Sequence, residues 1–188
     1  MARALRAVLL DPDEAIGRVV HGRTDAAVLV PLYLRDGELH AVLTRRPDTM
    51  RRHAGEVSFP GGRQDEEEDL RTTALREAEE EVGLPRTDVE LLGALSPVPT
   101  LATGYAIYPF VGLIEPGREW VLSPREVEEV IEPSLAALRA GFDRRRIVRR
   151  GIPLRTDVYI VGDAFIWGAT ARMLTDLLKR LGAVTLPA

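Results

Sequence analysis

The chain has 188 residues, 45% of them hydrophobic, which is enough for one substantial core, and it contains no Pro/Ser-rich linker or low-complexity tract. A formal net charge of −4 gives no general reason to expect nucleic acid or an anionic membrane as partner. The lack of cysteine excludes disulfides, thiolate metal sites and cysteine nucleophiles together.

One domain is expected over residues 1–188, with a core at about 24–182 and an N-terminal helix at about 2–20. The opening "MARALRAVLLDPDEA" begins like a basic, apolar leader. Its apolar run stops at Asp11 without a small-residue cleavage pattern, so it reads as a surface helix. No stretch approaches the roughly 18 apolar residues of a membrane span, and a cytoplasmic protein is expected. "DAAVLVPLYL", the turn at Asp36-Gly37 and "ELHAVLTRR" predict two strands in a hairpin. After a basic loop, "GEVSF" predicts a short strand before a turn at Pro60-Gly61-Gly62, and acidic residues then open a helix that ends at Val82. "VELLGAL" and "AIYPFVGLIE" predict further strands, separated by a loop bearing Pro, Thr and Gly. "REVEEVIEPSLAALRA" fits either one helix or a strand leading into a short helix, and Pro133 favours the break. "DVYIVGDAFIWG" predicts a strand and turn, and "ATARMLTDLLKRL" a closing amphipathic helix. The order implies an α+β fold: a mixed sheet with helices on both faces.

The helix before Gly83 poses an electrostatic problem. Leu70, Ala74, Leu75, Ala78 and Val82 recur at helical spacing, so Glu77, Glu79, Glu80 and Glu81 fall in the last turns, where the helix dipole opposes anions. Like charges three or four apart add about 0.2–0.5 kcal/mol of repulsion each. At about 100° per residue Glu77, Glu80 and Glu81 share one side, while Glu79 points away as a solvated charge. Convergent carboxylates on a rigid helix suit a hard divalent cation such as Mg²⁺.

The flanking residues extend this pattern. "GRQDEEEDLRTTALREAEEEVGL" resembles the Nudix box, G-x5-E-x7-R-E-U-x-E-E-x-G-U with U aliphatic, and every fixed position agrees, Ala78 being a small occupant of the first U. The resemblance implies the Nudix fold and Mg²⁺- or Mn²⁺-dependent hydrolysis of a nucleoside diphosphate linked to another moiety. It implies metal ligation by Glu77, Glu80 and Glu81, orientation of a glutamate by Arg76, and support from Glu68. Gly61 and Gly62 would bring backbone carbonyls near the metal, and Gly83 closes the motif. Glu126, in "SPREVEEVIEP", resembles a glutamate of related enzymes that serves as base or further metal ligand, with Glu128, Glu129 and a box glutamate as alternatives.

The box leaves the substrate open. Upstream, "VLTRRPDTMRRHAGEVSFPGGR" resembles the segment before the box in coenzyme A pyrophosphatases through Leu43, Thr44, Arg46, Arg51 or Arg52, Gly55, Phe59, Pro60, Gly61 and Gly62; "IWGATARML" is also similar. This implies cleavage of coenzyme A and its thioesters. Arg46, Arg51, Arg52 and His53 are the cations nearest the box for binding that small-molecule substrate. Other Nudix substrates (ADP-ribose, dinucleotide cofactors, damaged nucleoside triphosphates) and a catalytically silent binding domain are the rivals, and a homodimer stays open. Phe59 and both tryptophans read as packing, His21 and His40 as surface or edge-strand residues, and the five arginines from Arg144 to Arg150 as a solvated face in preference to a grip on a 3′-phosphate or RNA.

Overall fold

The computed structural model describes residues 1–48, 55–100, 103–149 and 152–182. In chain order the elements are α1 (Ala2–Arg6), α2 (Pro12–Ile16), β1 (Thr24–Arg35), β2 (Glu38–Ala41), β3 (Leu43–Arg45), β4 (Val57–Ser58), β5 (Gly61–Arg63) and α3 (Leu70–Val82). There follow β6 (Glu90–Ala94), β7 (Val98–Pro99), β8 (Tyr105–Leu113), β9 (Glu129–Ile131), α4 (Leu135–Ala140), β10 (Phe142–Arg149), β11 (Ile152–Val161), β12 (Ala164–Ile166) and α5 (Gly168–Leu181).

The central sheet runs β2-β1-β8-β6, with β5 also on β1 and β7 also on β8. β1 and β8 are parallel and the other pairings are antiparallel, so the sheet is mixed, as expected. Residues Ala26 to Tyr33 of β1 are an unbroken apolar run because both faces of this strand are covered. Its side chains divide by alternation. Val28, Val30 and Leu32 join a core with α4 and α5, whereas Ala27, Leu29 and Tyr33 join one with α3. The acidic helix is thereby fixed rigidly on one face of the sheet.

Several local expectations need correction. The single N-terminal surface helix is instead two short helices. Leu10 exchanges both backbone bonds with Ala94 at 2.9 Å, and Pro12, capped by Asp11, restarts the helix. Leu5 is fully buried, so this segment belongs partly to the core. The second hairpin strand breaks at Val42, whose N–H goes to the Pro31 carbonyl, and β3 continues into a separate sheet with β4 and β9. The turn expected at Gly61-Gly62 is part of β5, and the loop before β8 contains β7. Arg144, Arg145 and Arg146 stand on a strand, β10, and are exposed as a solvated face would be, whereas Arg150 lies outside the described residues. At "REVEEVIEPSLAALRA" the break wins: β9, Pro133, then α4. Among the described residues, no helix is long and apolar enough to cross a membrane.

A candidate divalent-metal site

The site is built on α3. Asp69 caps the helix by accepting from the Arg71 and Thr72 N–H groups, so the acidic residues Asp65 to Glu68 precede the helix rather than open it. At the other end Gly83 adopts the left-handed conformation that a side chain would strain. The chain returns across this terminus: Val121 N–H donates to the Val82 carbonyl at 3.2 Å and Ser123 N–H to that of Glu81 at 2.9 Å. These bonds satisfy end carbonyls, and a Cβ on Gly83 would stand 2.8 Å from that of Val121. Glu126 and the buried Val127 then turn back on Ser123. The segment thus delivers Glu126 to α3.

Carboxylate oxygens of Glu77, Glu81 and Glu126 lie within 4.8 Å of one another. Glu81 is 4% exposed and accepts the Gly61 N–H at 3.1 Å, whereas Glu126 is exposed. A Cβ on Gly62 would stand 2.4 Å from Cδ of Glu77, so a side chain there would displace the Glu77 carboxylate. Glu80 is not brought into this cluster. Its side chain is 59% exposed, and Arg76 holds it at 3.2 Å.

Arg76 answers much of the helix's electrostatic problem. It donates to both Glu68 oxygens, to Glu77 at 2.9 Å, to Glu80 and to the Arg63 carbonyl. Thr73 also donates to Glu68, and the Arg76 hydrogen bonds hold that carboxyl below its ordinary range. Glu79, expected as a solvated charge, pairs at the surface with Arg86.

Glu77 and Glu81 remain under-compensated. Burial pushes the Glu77 carboxyl up, Arg76 opposes the rise, and Glu80 and Glu126 reinforce it. Burial carries Glu81 from 4.5 up to about 8, against the Gly61 bond and the Arg46 charge and with help from Glu77 and Glu126. A cation seated among three such oxygens would relieve both effects, so the donor set fits a divalent metal.

The remaining candidates are dispersed. Arg46 is half-buried at the base of the β3–β4 connection, where its N–H meets the Glu56 carbonyl; Arg51, Arg52 and His53 lie outside the described residues. Glu128 is held by its backbone on Arg45, and Glu129 is ion-paired to Arg45 at 2.6 Å. Phe59 is buried, whereas Trp120 and Trp167 are only partly so. His40 lies on β2, stacked on Tyr33. Ser123 and Val121 give no side-chain signal in the sequence, because each contributes through its backbone.

Metal binding should depend on pH in a definite direction. The Glu81 carboxyl has a folded pKa near 8, above its ordinary 4.5, so between those values the metal-free fold holds a proton that the unfolded chain has lost. Stability without metal should therefore fall as pH rises through this window. A metal must displace the same proton, so apparent Mn²⁺ affinity should rise up to about tenfold per pH unit from pH 6 and flatten above 8. A titration showing no change in affinity between pH 6 and 8 would remove Glu81 from the ligand set.

The NUDIX domain family model matches residues 23–150, which include the whole carboxylate constellation. This chain belongs to the Nudix family. The uncharacterized Nudix hydrolase NudL of Salmonella paratyphi B is 41% identical to it over 160 residues, 84% of this chain and 82% of the relative. NudL of Escherichia coli is 39% identical over 170 residues, 89% and 88% of the two chains. A MutT/nudix family protein from Enterococcus faecalis shares the fold, with a TM-score of 0.58 at 13% identity over 88% of this chain and 64% of its own. The Nudix chain described here is a pyrophosphohydrolase, and its acidic cluster matches the family's general use of divalent metals.

Proposed function

We propose that this Nudix enzyme hydrolyses the pyrophosphate bond of coenzyme A and its thioesters, releasing 3′,5′-ADP and 4′-phosphopantetheine or its acyl form. The observation that carries the substrate is the run from Leu43 to Gly62, with its Leu-Thr-x-Arg, downstream arginines and Phe-Pro-Gly-Gly. Its structural setting supports the reading. β3 and β4 pair immediately beside the site, and Gly55 N–H closes on the Arg46 carbonyl, so the basic connection leaves from next to Glu81's electrostatic neighbour Arg46.

Glu77, Glu81 and Glu126 would hold Mg²⁺ or Mn²⁺, with the Gly61 carbonyl as a further ligand that the box implies; Glu80, which the box also implies, is held away by Arg76. Bound there, the metal would neutralise phosphoryl oxygens and lower the pKa of a coordinated water. The protein's share is positional. Arg76 fixes Glu77, the Gly61 N–H fixes Glu81, and the bonds from Val121 and Ser123 hold the segment bearing Glu126. Glu126, the exposed member, accepts the proton of the attacking water on its carboxylate. Arg46, Arg51, Arg52 and His53 supply cations for the substrate's phosphates.

A panel of CoA, acetyl-CoA, ADP-ribose and NADH with Mg²⁺ or Mn²⁺, with products identified by mass, tests the reading. CoA and its thioester should be cut fastest to the named products; much faster cleavage of ADP-ribose would refute the CoA assignment. Arginines gripping the 3′-phosphate should also discriminate between substrates. Changed singly to Ala, Arg46, Arg51 or Arg52 should weaken use of CoA about ten- to a hundredfold and leave dephospho-CoA unaffected. Equal losses on both substrates would instead assign that residue to the diphosphate.

A further inference from the structure

The arginine run of β10 is not absorbed by this mechanism. β10 and β11 pair antiparallel, with Arg144 opposite Asp157 and Arg146 directly opposite Arg155. Side chains two apart share a sheet face, so Arg144, Arg146, Arg155 and Asp157 project together, while Asp143 and Arg145 pair on the other side. On the shared face Asp157 neutralises Arg144 at 3.0 Å. Arg146 and Arg155 have no acidic partner among the described residues, although like charges directly opposite in a sheet repel.

Helix α5 adds a third cation with no acidic partner among the described residues. Arg172, whose Nη1 donates to the Pro99 carbonyl at 3.2 Å on β7, lines one concavity with Arg144, Arg155, Thr156 and Asp157. Its volume is about 390 Å³. Since β5, β1, β8 and β7 are successive neighbours at this end of the sheet, β7 lies three strand spacings, about 14 Å, from the strand that carries Gly62. The concavity is thus a separate place from the carboxylate cluster, and its charge has the opposite sign.

We propose that this concavity is a second binding site, for a phosphate monoester dianion. A small, open pocket bearing unneutralised guanidinium groups offers forked donors to phosphate oxygens. The chain's net charge of −4 disfavours a long polyanion, and the pocket's size suits one phosphorylated small molecule. Arg155 and Arg172, the lining guanidinium groups without an acidic partner among the described residues, would be neutralised by a bound phosphate.

The test uses the full chain in EDTA, so that no phosphate is held through a metal, with inorganic phosphate and 3′,5′-ADP titrated by calorimetry. Both should bind saturably, and Arg155→Ala or Arg172→Ala should each weaken binding about tenfold, with Arg155→Lys between. These side chains are exposed, so circular dichroism should show unchanged folding. Binding of inorganic phosphate does not depend on which diphosphate the enzyme cleaves, and so survives failure of the CoA assignment. Kinetics then distinguish the source. A higher KM for CoA but not dephospho-CoA assigns the pocket to the substrate's 3′-phosphate, whereas unchanged KM with weakened binding assigns it to a separate phosphate monoester. Non-saturating heats, or equal affinity in wild type and both alanine variants, would make the arginines a solvated surface and overturn the proposal.

Discussion

Glu81→Gln is expected to lower turnover by about a hundredfold or more while leaving the fold intact. The substitution keeps the volume of a side chain that is 4% exposed and keeps an oxygen for the Gly61 N–H, removing only the charge. That charge is unfavourable in the metal-free protein, because burial and the neighbouring Glu77 and Glu126 carboxylates oppose it. Removing it should therefore preserve or raise the melting temperature in EDTA, most clearly near pH 9, where the wild-type carboxyl is forced to ionise. Loss of activity with gain of apo-stability would mark a residue kept for its ligand. Glu80→Gln is the comparison: its side chain is half-exposed and tied to Arg76, so its effect should be smaller. Undiminished turnover of Glu81→Gln at limiting Mg²⁺ would contradict the assignment.

Arg76→Ala should cost about 2–3 kcal/mol of stability, toward the lower end for a broken buried pair, because the carboxylates it strands keep slight solvent access. Arg76, Glu68 and Glu77 have side chains only 16%, 13% and 14% exposed. For a chain of this length the loss corresponds to a melting temperature about 5–10 °C lower. The pH dependence follows from Glu68, whose folded pKa lies below its ordinary 4.5. Its paired state contributes stability above that ordinary value and loses it as pH falls through the folded pKa, so the mutant's deficit should be large at pH 7.5 and shrink in acid. Arg76→Lys should recover little, since one ammonium cannot span Glu68, Glu77, Glu80 and the Arg63 carbonyl together. An unchanged melting temperature at pH 7.5 would show that the network contributes nothing measurable.

Much of this site was legible in the sequence because a helix turns spacing into direction. Glu77 and Glu81 converge as their angular separation requires, and Gly83 ends the helix as its freedom at positive φ allows. Glu80 shows where that reasoning stops. Angle alone placed it with the other two, but Arg76, one turn earlier, draws its carboxylate away. Asp65 to Glu68 looked like a first helical turn, yet Glu68 is held by Arg76 and Thr73 ahead of the helix proper. β5 was hidden because two glycines read as a turn by propensity. They are in a strand because β5 pairs with β1, whose backbone leaves no room for a Cβ on Gly61, while a Cβ on Gly62 would displace the Glu77 carboxylate. β10 was hidden for the opposite reason: both faces of its arginine run are polar, so no period-two pattern marks it. The backbone contacts of Val121 and Ser123 that hold the Glu126 segment leave no side-chain trace at all.

The most direct measurement counts bound Mn²⁺ by the loss of its free-ion electron paramagnetic resonance signal at pH 8, on wild type, Glu81→Gln, Glu126→Gln and Glu80→Gln, each titrated with the metal alone. If the cluster of Glu77, Glu81 and Glu126 is the metal site, wild type should bind Mn²⁺, Glu81→Gln should lose at least about tenfold in affinity, Glu126→Gln should lose measurably, and Glu80→Gln should lose least. Equal Mn²⁺ binding by wild type and Glu81→Gln would place the metal elsewhere and contradict the assignment of this cluster.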